Sequence, residues 1–175
     1  LRAQARNVAR PRHERDLALF TLLFKQLVHG NYAGYISDSA LVGGKADADQ
    51  GLWDLRTQET IPVGLFRAGR WSDGYACPAL AATVATLARN PRDAKARLCL
   101  GEFYRLNGFD DLQTFAAPPE ADQLGGGASQ FPGKPVQRDG LYAAVIAAPA
   151  AAPAEKAYAL YRAVNCYAPS GYNAC

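Results

Sequence analysis

Histidine and cysteine are the residue types most often used for nucleophilic chemistry, and this chain has two histidines and four cysteines. A nucleophilic triad needs a histidine beside a serine or a cysteine. His13 lies among arginines near the N-terminus, and His29 comes directly before Gly30, where a helix is expected to end. A favourable contact with the helix dipole explains His29 more simply than catalysis does. We therefore predict no catalytic histidine.

A carboxylate pair for glycoside cleavage could be formed by Glu102 on a helix and Asp73 or Asp110 in a loop. The spacing is not diagnostic of such a pair. Glu102 lies between Gly101 and Phe103 in a helical pattern, and we expect it to face solvent. A cell-wall glycan hydrolase is therefore an alternative hypothesis, and a non-enzymatic protein is favoured.

The four cysteines match no CxxC or CxxC–His zinc pattern, and we predict neither a metal nor a cofactor. An even number of cysteines suits two disulfides in an oxidising compartment. The sequence favours the pairs Cys166 with Cys175 and Cys77 with Cys99, although it does not fix the connectivity. A buried free thiol is the alternative for Cys99, because it lies in a helical apolar pattern.

Positive charge is concentrated in a basic arm, residues 1–16. Arg2, Arg6 and Arg10 recur every four residues and share one helical face until Pro11 interrupts it. The net charge of +3 is too small for an obligate nucleic-acid binder, and no aromatic residue lies among these arginines. We expect a solvated face or a contact with an acidic protein, and nucleic-acid association is a second, less favoured alternative.

The composition is that of a globular protein, with 49% hydrophobic and 20% charged residues in 175. The longest apolar stretches are too short to span a bilayer. The chain starts at Leu1 and contains no methionine, which is expected of a processed or trimmed N-terminus from which a signal peptide has been removed. Together with the cysteines, this indicates a periplasmic or otherwise extracytoplasmic bacterial protein.

Apolar residues recur with a helical period in several segments, and no stretch alternates with period two. The fold class is therefore predicted to be all-α, with antiparallel helix pairs forming a single domain over residues 17–175. Flexible loops are expected near residues 43–51 and 117–135, and an irregular stretch from Leu52 to Cys77. The predicted helices are 17–30 with Asp16 as N-cap, 32–41 with Asn31 as N-cap, 78–90, 94–107 with Asp93 at its start, a short helix at 111–116, 138–147 and 153–166.

The segment from Asn90 to Asp111, NPRDAKARLCLGEFYRLNGFDD, resembles the first helix and turn of a tetratricopeptide repeat. Leu100, Gly101 and Tyr104 fall where that family has its Leu-Gly and aromatic packing residues, and Gly108 falls where the turn needs glycine. Gly101 lacks a side chain, so a neighbouring helix can approach the backbone. The resemblance implies structural roles for these four residues.

The C-terminal segment, AEKAYALYRAVNCYAPSGYNAC, is similar to another helix of such a repeat, and we expect the complete protein to continue beyond it. Its Ala157, Leu160, Tyr161 and Val164 form an apolar stripe of the kind that stacks helix pairs against one another. The pieces together resemble helical-repeat proteins of the bacterial cell envelope. That resemblance implies an α-solenoid fragment that binds a partner on a concave face.

Aromatic residues in the irregular segments are candidates for that binding. Trp71, Tyr75, Tyr167 and Tyr172 belong to residue types that anchor interfaces at low entropy cost. The leading hypothesis is a non-enzymatic scaffold that holds another protein through these loops. The alternative is that the rings cover the ends of the helix pairs.

Overall fold

The computed structural model describes residues 1–43, 61–69, 74–111 and 129–167, together with 120, 122, 123, 126 and 127. Within these residues the secondary structure is helical and contains no strand, which confirms the all-α prediction. The α-helices are α1 (Arg2–Arg6), α2 (Arg12–Val28), α3 (Tyr32–Ser39), α4 (Leu65–Ala68), α5 (Leu80–Arg89), α6 (Ala94–Leu106), α7 (Arg138–Ala147) and α8 (Pro153–Tyr167), and 3-10 turns cover Ala40–Val42 and Phe109–Asp111.

The helix starts follow from local chemistry. Asn31 caps α3 by accepting a hydrogen bond from the Gly34 amide at 3.0 Å, and Asp93 caps α6 by accepting one from the Ala96 amide at 2.8 Å. An N-cap side chain satisfies one of the free N–H groups of the first turn. Both predicted caps are confirmed.

The first long helix begins earlier than its sequence pattern indicates. Pro11 is the residue that precedes α2, and Asp16 lies inside this helix, where it is buried. Proline suits a helix start because its fixed φ matches the helix and its missing N–H would be unpaired there. The prediction of Asp16 as N-cap is therefore wrong.

One other element differs from the predictions, because the four-residue helix α4 lies in the stretch that we expected to be irregular. Of the short helix expected at 111–116, only Asp111 is described, where it ends a 3-10 turn, so that helix stays a prediction. Residues 44–60, 70–73 and 112–119, which include most of the predicted loops, lie outside the described residues.

The buried side chains form two clusters, and α6 contributes to both. The larger cluster joins α2, α3, α5 and α6 around Phe109, whose ring contacts the rings of Phe24, Phe66, Phe103 and Tyr104. The smaller cluster lies between α6, α7 and α8 and consists of Leu98, Tyr142, Val145, Ala151 and Ala159. Helix α6 is therefore the central helix, and the charged side chain of Glu102 in its middle has to be accommodated inside the protein.

Candidate functional site

Glu102 is a buried carboxylate in the middle of α6, with 0% of its surface exposed. We expected it to face solvent, and this prediction is wrong. The reason is that α7 and α8 cover the side of α6 opposite the larger cluster. A buried ionised carboxylate has to be hydrogen-bonded or paired with a positive charge, so its neighbours define the site.

Four side chains from three helices surround Glu102, and with it they form what we call the Glu102 cluster. Tyr142 of α7 donates a hydrogen bond to Oε1 at 2.7 Å, and Tyr158 of α8 donates one to Oε2 at 2.9 Å. Arg105 of α6 donates from Nη2 to Oε2 at 2.8 Å, and Nε of Arg162 in α8 lies 3.3 Å from Oε1. The carboxylate thus connects α6 to both helices of the last pair.

The electrostatics of this cluster keep Glu102 ionised. Burial by itself raises the pKa of Glu102, but the hydrogen bonds from Arg105 and Tyr142 and the charges of Arg105 and Arg162 outweigh it, so that the pKa lies below its ordinary value. Burial and the neighbouring carboxylate raise the pKa of Tyr142, which therefore stays protonated and donates.

A general acid for glycoside cleavage needs a raised pKa and access to its substrate. Glu102 has neither. Asp110, one of its proposed partners, pairs instead with Arg138 at 2.8 Å. Asp73 lies outside the described residues. The arrangement is that of a fixed anion holding three helices together.

An aromatic layer covers the cluster on one side. The rings of Tyr75 and Tyr158 are stacked with centroids 4.5 Å apart. The guanidinium of Arg162 lies over the rings of Tyr158 and Tyr161, 5.0 and 5.1 Å from their centroids. Tyr75 was predicted to bind a partner, and in the structure its ring packs on α8.

Two residues after Tyr75, Cys77 bonds to Cys99 of α6. Their Sγ atoms are 2.13 Å apart and their Cα atoms 5.5 Å apart, so the predicted Cys77–Cys99 pair is at disulfide distance. Cys175 and the side chain of Cys166 lie outside the described residues, and their pairing stays a prediction.

Helix α8 has its polarity reversed relative to the rest of the protein. Its apolar residues Leu160, Tyr161 and Val164 are 49%, 57% and 65% exposed, and Ala157 on the same face is exposed too. We call these four residues the α8 stripe. The opposite face, with Tyr158 and Arg162, packs against α6 and α7. The expectation that this stripe stacks helix pairs is wrong for the described part of the chain.

The spacing of Glu155, Tyr158 and Arg162 is the sequence signal that could have revealed this reversal. These residues recur at three and four positions, which places them on one helical face opposite the stripe. Either the apolar or the polar face of α8 could pack against the rest of the protein. The polar face is the one that packs inward, because the buried Glu102 needs its hydrogen bonds and positive charge.

Several arginines of the N-terminal arm are paired with acidic residues. Arg2 donates from Nε and Nη2 to the two carboxylate oxygens of Asp38, at 2.7 and 2.8 Å. Gln26 also donates to this buried carboxylate at 2.8 Å, and Arg6 lies 3.8 Å from it. Arg10 pairs with Glu14 at 2.7 Å. These pairs give no support to phosphate binding by the arm.

Replacing Asp38 with asparagine is expected to release α1. The hydrogen bond from Arg2 is the largest influence that lowers the pKa of Asp38, so the side chain is charged at neutral pH and the charge is lost in the variant. Trypsin cleavage after Arg6 should then be faster by roughly tenfold at pH 7, as for a segment that opens locally. Asp93→Asn is the matched control, because asparagine caps a helix as well as aspartate does. Equal cleavage rates in both variants would show that the Arg2–Asp38 pair does not hold α1.

The residues that resemble a tetratricopeptide repeat lie in structural positions. Leu100 and Tyr104 are buried in the larger cluster, and Gly108 adopts φ of +71° in the turn after α6. A Cβ atom on Gly101 would lie 2.7 Å from Cε1 of Tyr142. Trp71 and Tyr172 lie outside the described residues, and of Tyr167 only the backbone is described.

No family model, curated protein or solved structure matches the chain. Among the described residues, no group of three or more histidines, cysteines or carboxylates is placed to hold a metal ion. None of the helices in the same residues has the length and apolar character needed to span a membrane.

Proposed function

We propose that the protein is a non-enzymatic helical scaffold of the bacterial envelope that binds an amphipathic helix of a partner protein along α8. The observation that carries the proposal is the exposed α8 stripe. An apolar helix face turned to water costs free energy, whereas a second helix packed on it would recover the hydrophobic contribution. Because the polar face with Tyr158 and Arg162 packs against α6 and α7, the apolar face of α8 points outward.

The shape of the stripe favours a helix as the partner. Its residues are spaced by three and four, and side chains at this spacing form ridges that pack into the grooves of a second helix. With 15 residues, α8 is about 22 Å long, and the stripe extends over roughly two of its turns. Partners that bind in this way present anchors at the same spacing.

The charge beside the stripe favours an acidic partner. Lys156 lies at the edge of the stripe, one turn before Leu160, and adds a positive charge there. Two copies of this chain packed stripe to stripe would place the Lys156 charges of both copies on one interface, which like-charge repulsion disfavours. A helix with apolar anchors and flanking glutamates or aspartates complements the surface in both respects.

Two further observations support the envelope scaffold. The Cys77–Cys99 pair is expected in an oxidising compartment such as the periplasm. The pairs α5–α6 and α7–α8 are joined by short turns, and α6 approaches α7 closely at Gly101, as in tetratricopeptide-like repeats.

Replacing Leu160 with aspartate is expected to weaken partner binding about tenfold or more, because a charge would enter the centre of the apolar contact. The probe is a fluorescent peptide of 15 residues, the length of α8, with leucine anchors and flanking glutamates. Its affinity is measured by anisotropy. A second peptide with lysines in place of the glutamates should bind more weakly than the first.

Leu17→Asp is the matched control, since Leu17 on α2 is 48% exposed, close to the 49% of Leu160. This variant should bind the acidic peptide as the wild type does. The proposal is wrong if both variants bind equally, if neither peptide binds, or if light scattering shows a dimer that Leu160→Asp dissociates. The last result would assign the stripe to a second copy of the chain.

A further inference from the structure

We propose that the Cys77–Cys99 disulfide is a redox-sensitive tether that fixes α8 and thereby regulates binding at the α8 stripe. The regulatory part rests on the proposed function, whereas the effect on α8 does not. The inference comes from a continuous series of contacts that runs from the disulfide to the helix bearing the stripe.

The disulfide attaches a non-helical segment to the central helix. Cys99 is 1% exposed and lies on α6, three residues before Glu102. Cys77 is half-buried and belongs to residues 74–79, which lead into α5 and which we call the Tyr75 segment. The bond therefore holds this segment beside the Glu102 cluster.

Tyr75 transmits that position to α8. Its ring is stacked on Tyr158 at 4.5 Å, and the hydroxyl of Tyr158 donates to Glu102. The ring of Tyr158 lies 6.1 Å from that of Tyr161, which belongs to the stripe. Tyr75 also packs against the smaller buried cluster. The Tyr75 segment thus packs against the inward face of α8, whose outward face carries the stripe.

Reduction would remove the covalent part of this arrangement. A dithiol reductant attacks Sγ of Cys77, which is the more exposed of the two cysteines, and Cys99 leaves as a thiolate and is protonated. The second thiol of the reductant then displaces Cys77, so that two protein thiols form and the dithiol becomes a disulfide. Ordering the Tyr75 segment afterwards costs the loop-closure entropy that the bond had removed.

Hydrogen exchange of the full chain with and without dithiothreitol tests the tether. The background is Cys166→Ala/Cys175→Ala, because Cys166 lies on α8 and its predicted bond to Cys175 would be reduced as well. Reduction, verified by counting thiols, should speed the exchange of α8 amides by about two- to tenfold, as expected for loss of an aromatic pair, and should leave α3 unchanged. Cys77→Ala/Cys99→Ala should show the same pattern without reductant. Tyr75→Ala should reproduce it with the disulfide intact, whereas Tyr75→Phe, which keeps the ring, should not.

The results separate this inference from the proposed function. The tether is wrong if the bond resists dithiothreitol in the folded protein, or if α8 exchanges at the same rate in both redox states. Its regulatory role is wrong if the oxidised and reduced forms bind the acidic peptide equally. Failure of the peptide to bind in either state contradicts the proposed function and leaves the exchange result to decide whether the disulfide fixes α8.

Discussion

Replacing Glu102 with glutamine is expected to lower the free energy of unfolding by about 3 kcal/mol or more, which is the usual cost of removing one partner from a buried ion pair. The carboxylate accepts hydrogen bonds from two tyrosines and pairs with two arginines. An amide offers one acceptor oxygen and no charge, so Arg105 and Arg162 would keep their positive charges without compensation. Urea unfolding followed by circular dichroism measures the difference.

The control is Glu14→Gln, because Glu14 pairs with Arg10 at the surface with 49% of its side chain exposed. That variant should change the free energy of unfolding by less than about 1 kcal/mol. A similar loss in both variants would show that the Glu102 cluster contributes no more than an exposed ion pair.

The pH dependence of the Glu102 variant has a definite sign. The pKa of Glu102 is lowered in the folded protein, so its contribution is fully present above the ordinary value of 4.5 and is lost as the pH falls through the lower folded value. The stability difference between wild type and Glu102→Gln should therefore shrink in that acid range. A difference that persists unchanged there would contradict an ionised Glu102.

Replacing Gly101 with alanine is expected to destabilise the protein by about 1–3 kcal/mol, although alanine is the better helix former. The new Cβ would lie 2.7 Å from Cε1 of Tyr142. That ring is fully buried and its hydroxyl is held by Glu102, so it has no room to move. Thermal and urea unfolding measure the effect, and Gly101→Val should be worse than Gly101→Ala.

Gly140→Ala in α7 is the matched helical glycine. Its nearest neighbour is Cγ1 of Val136 at 3.1 Å, and Val136 is 42% exposed and can rotate away. This variant should be neutral or slightly stabilising, since helix propensity favours alanine. If Gly101→Ala behaves in the same way, α6 and α7 are not packed as closely as the structure shows.

The helices were predictable because their signals are local. Asn31 and Asp93 cap their helices through side chains that act within three residues, and the positive φ of Gly30 ends α2. The start of α2 differs from the prediction because two helix-start signals compete, and Pro11 lies farther from the apolar stripe than Asp16 does.

The candidate site was not predictable, because its partners are far apart in the sequence. Tyr142 and Tyr158, which bind Glu102, are 40 and 56 residues away from it in the sequence. The sequence around Glu102 does not indicate that α7 and α8 cover it. An isolated helix with two stripes does not specify which one is buried. For α8 the choice depends on a carboxylate in another helix, and this long-range electrostatic term overrides the apolar pattern.

The same reasoning applies to the arginines. Their four-residue spacing predicts a shared helical face, but the acceptor for Arg2 is Asp38, 36 residues away. A charge count over residues 1–16 therefore leaves out Asp38, the carboxylate that pairs with Arg2. Once Asp38 is included, the arm is a folded part of the protein.

Because α6 contributes side chains to both buried clusters, its sequence is constrained by the packing on two of its faces. A substitution that improves the fit on the Phe109 side must also be tolerated on the Tyr142 side, so few single changes at the eight buried positions of α6 can be accepted during evolution without a second, compensating change elsewhere. The outward surfaces of α1 and α2 carry no such double demand. Divergence among descendants of this chain should accordingly accumulate there first and reach α6 last.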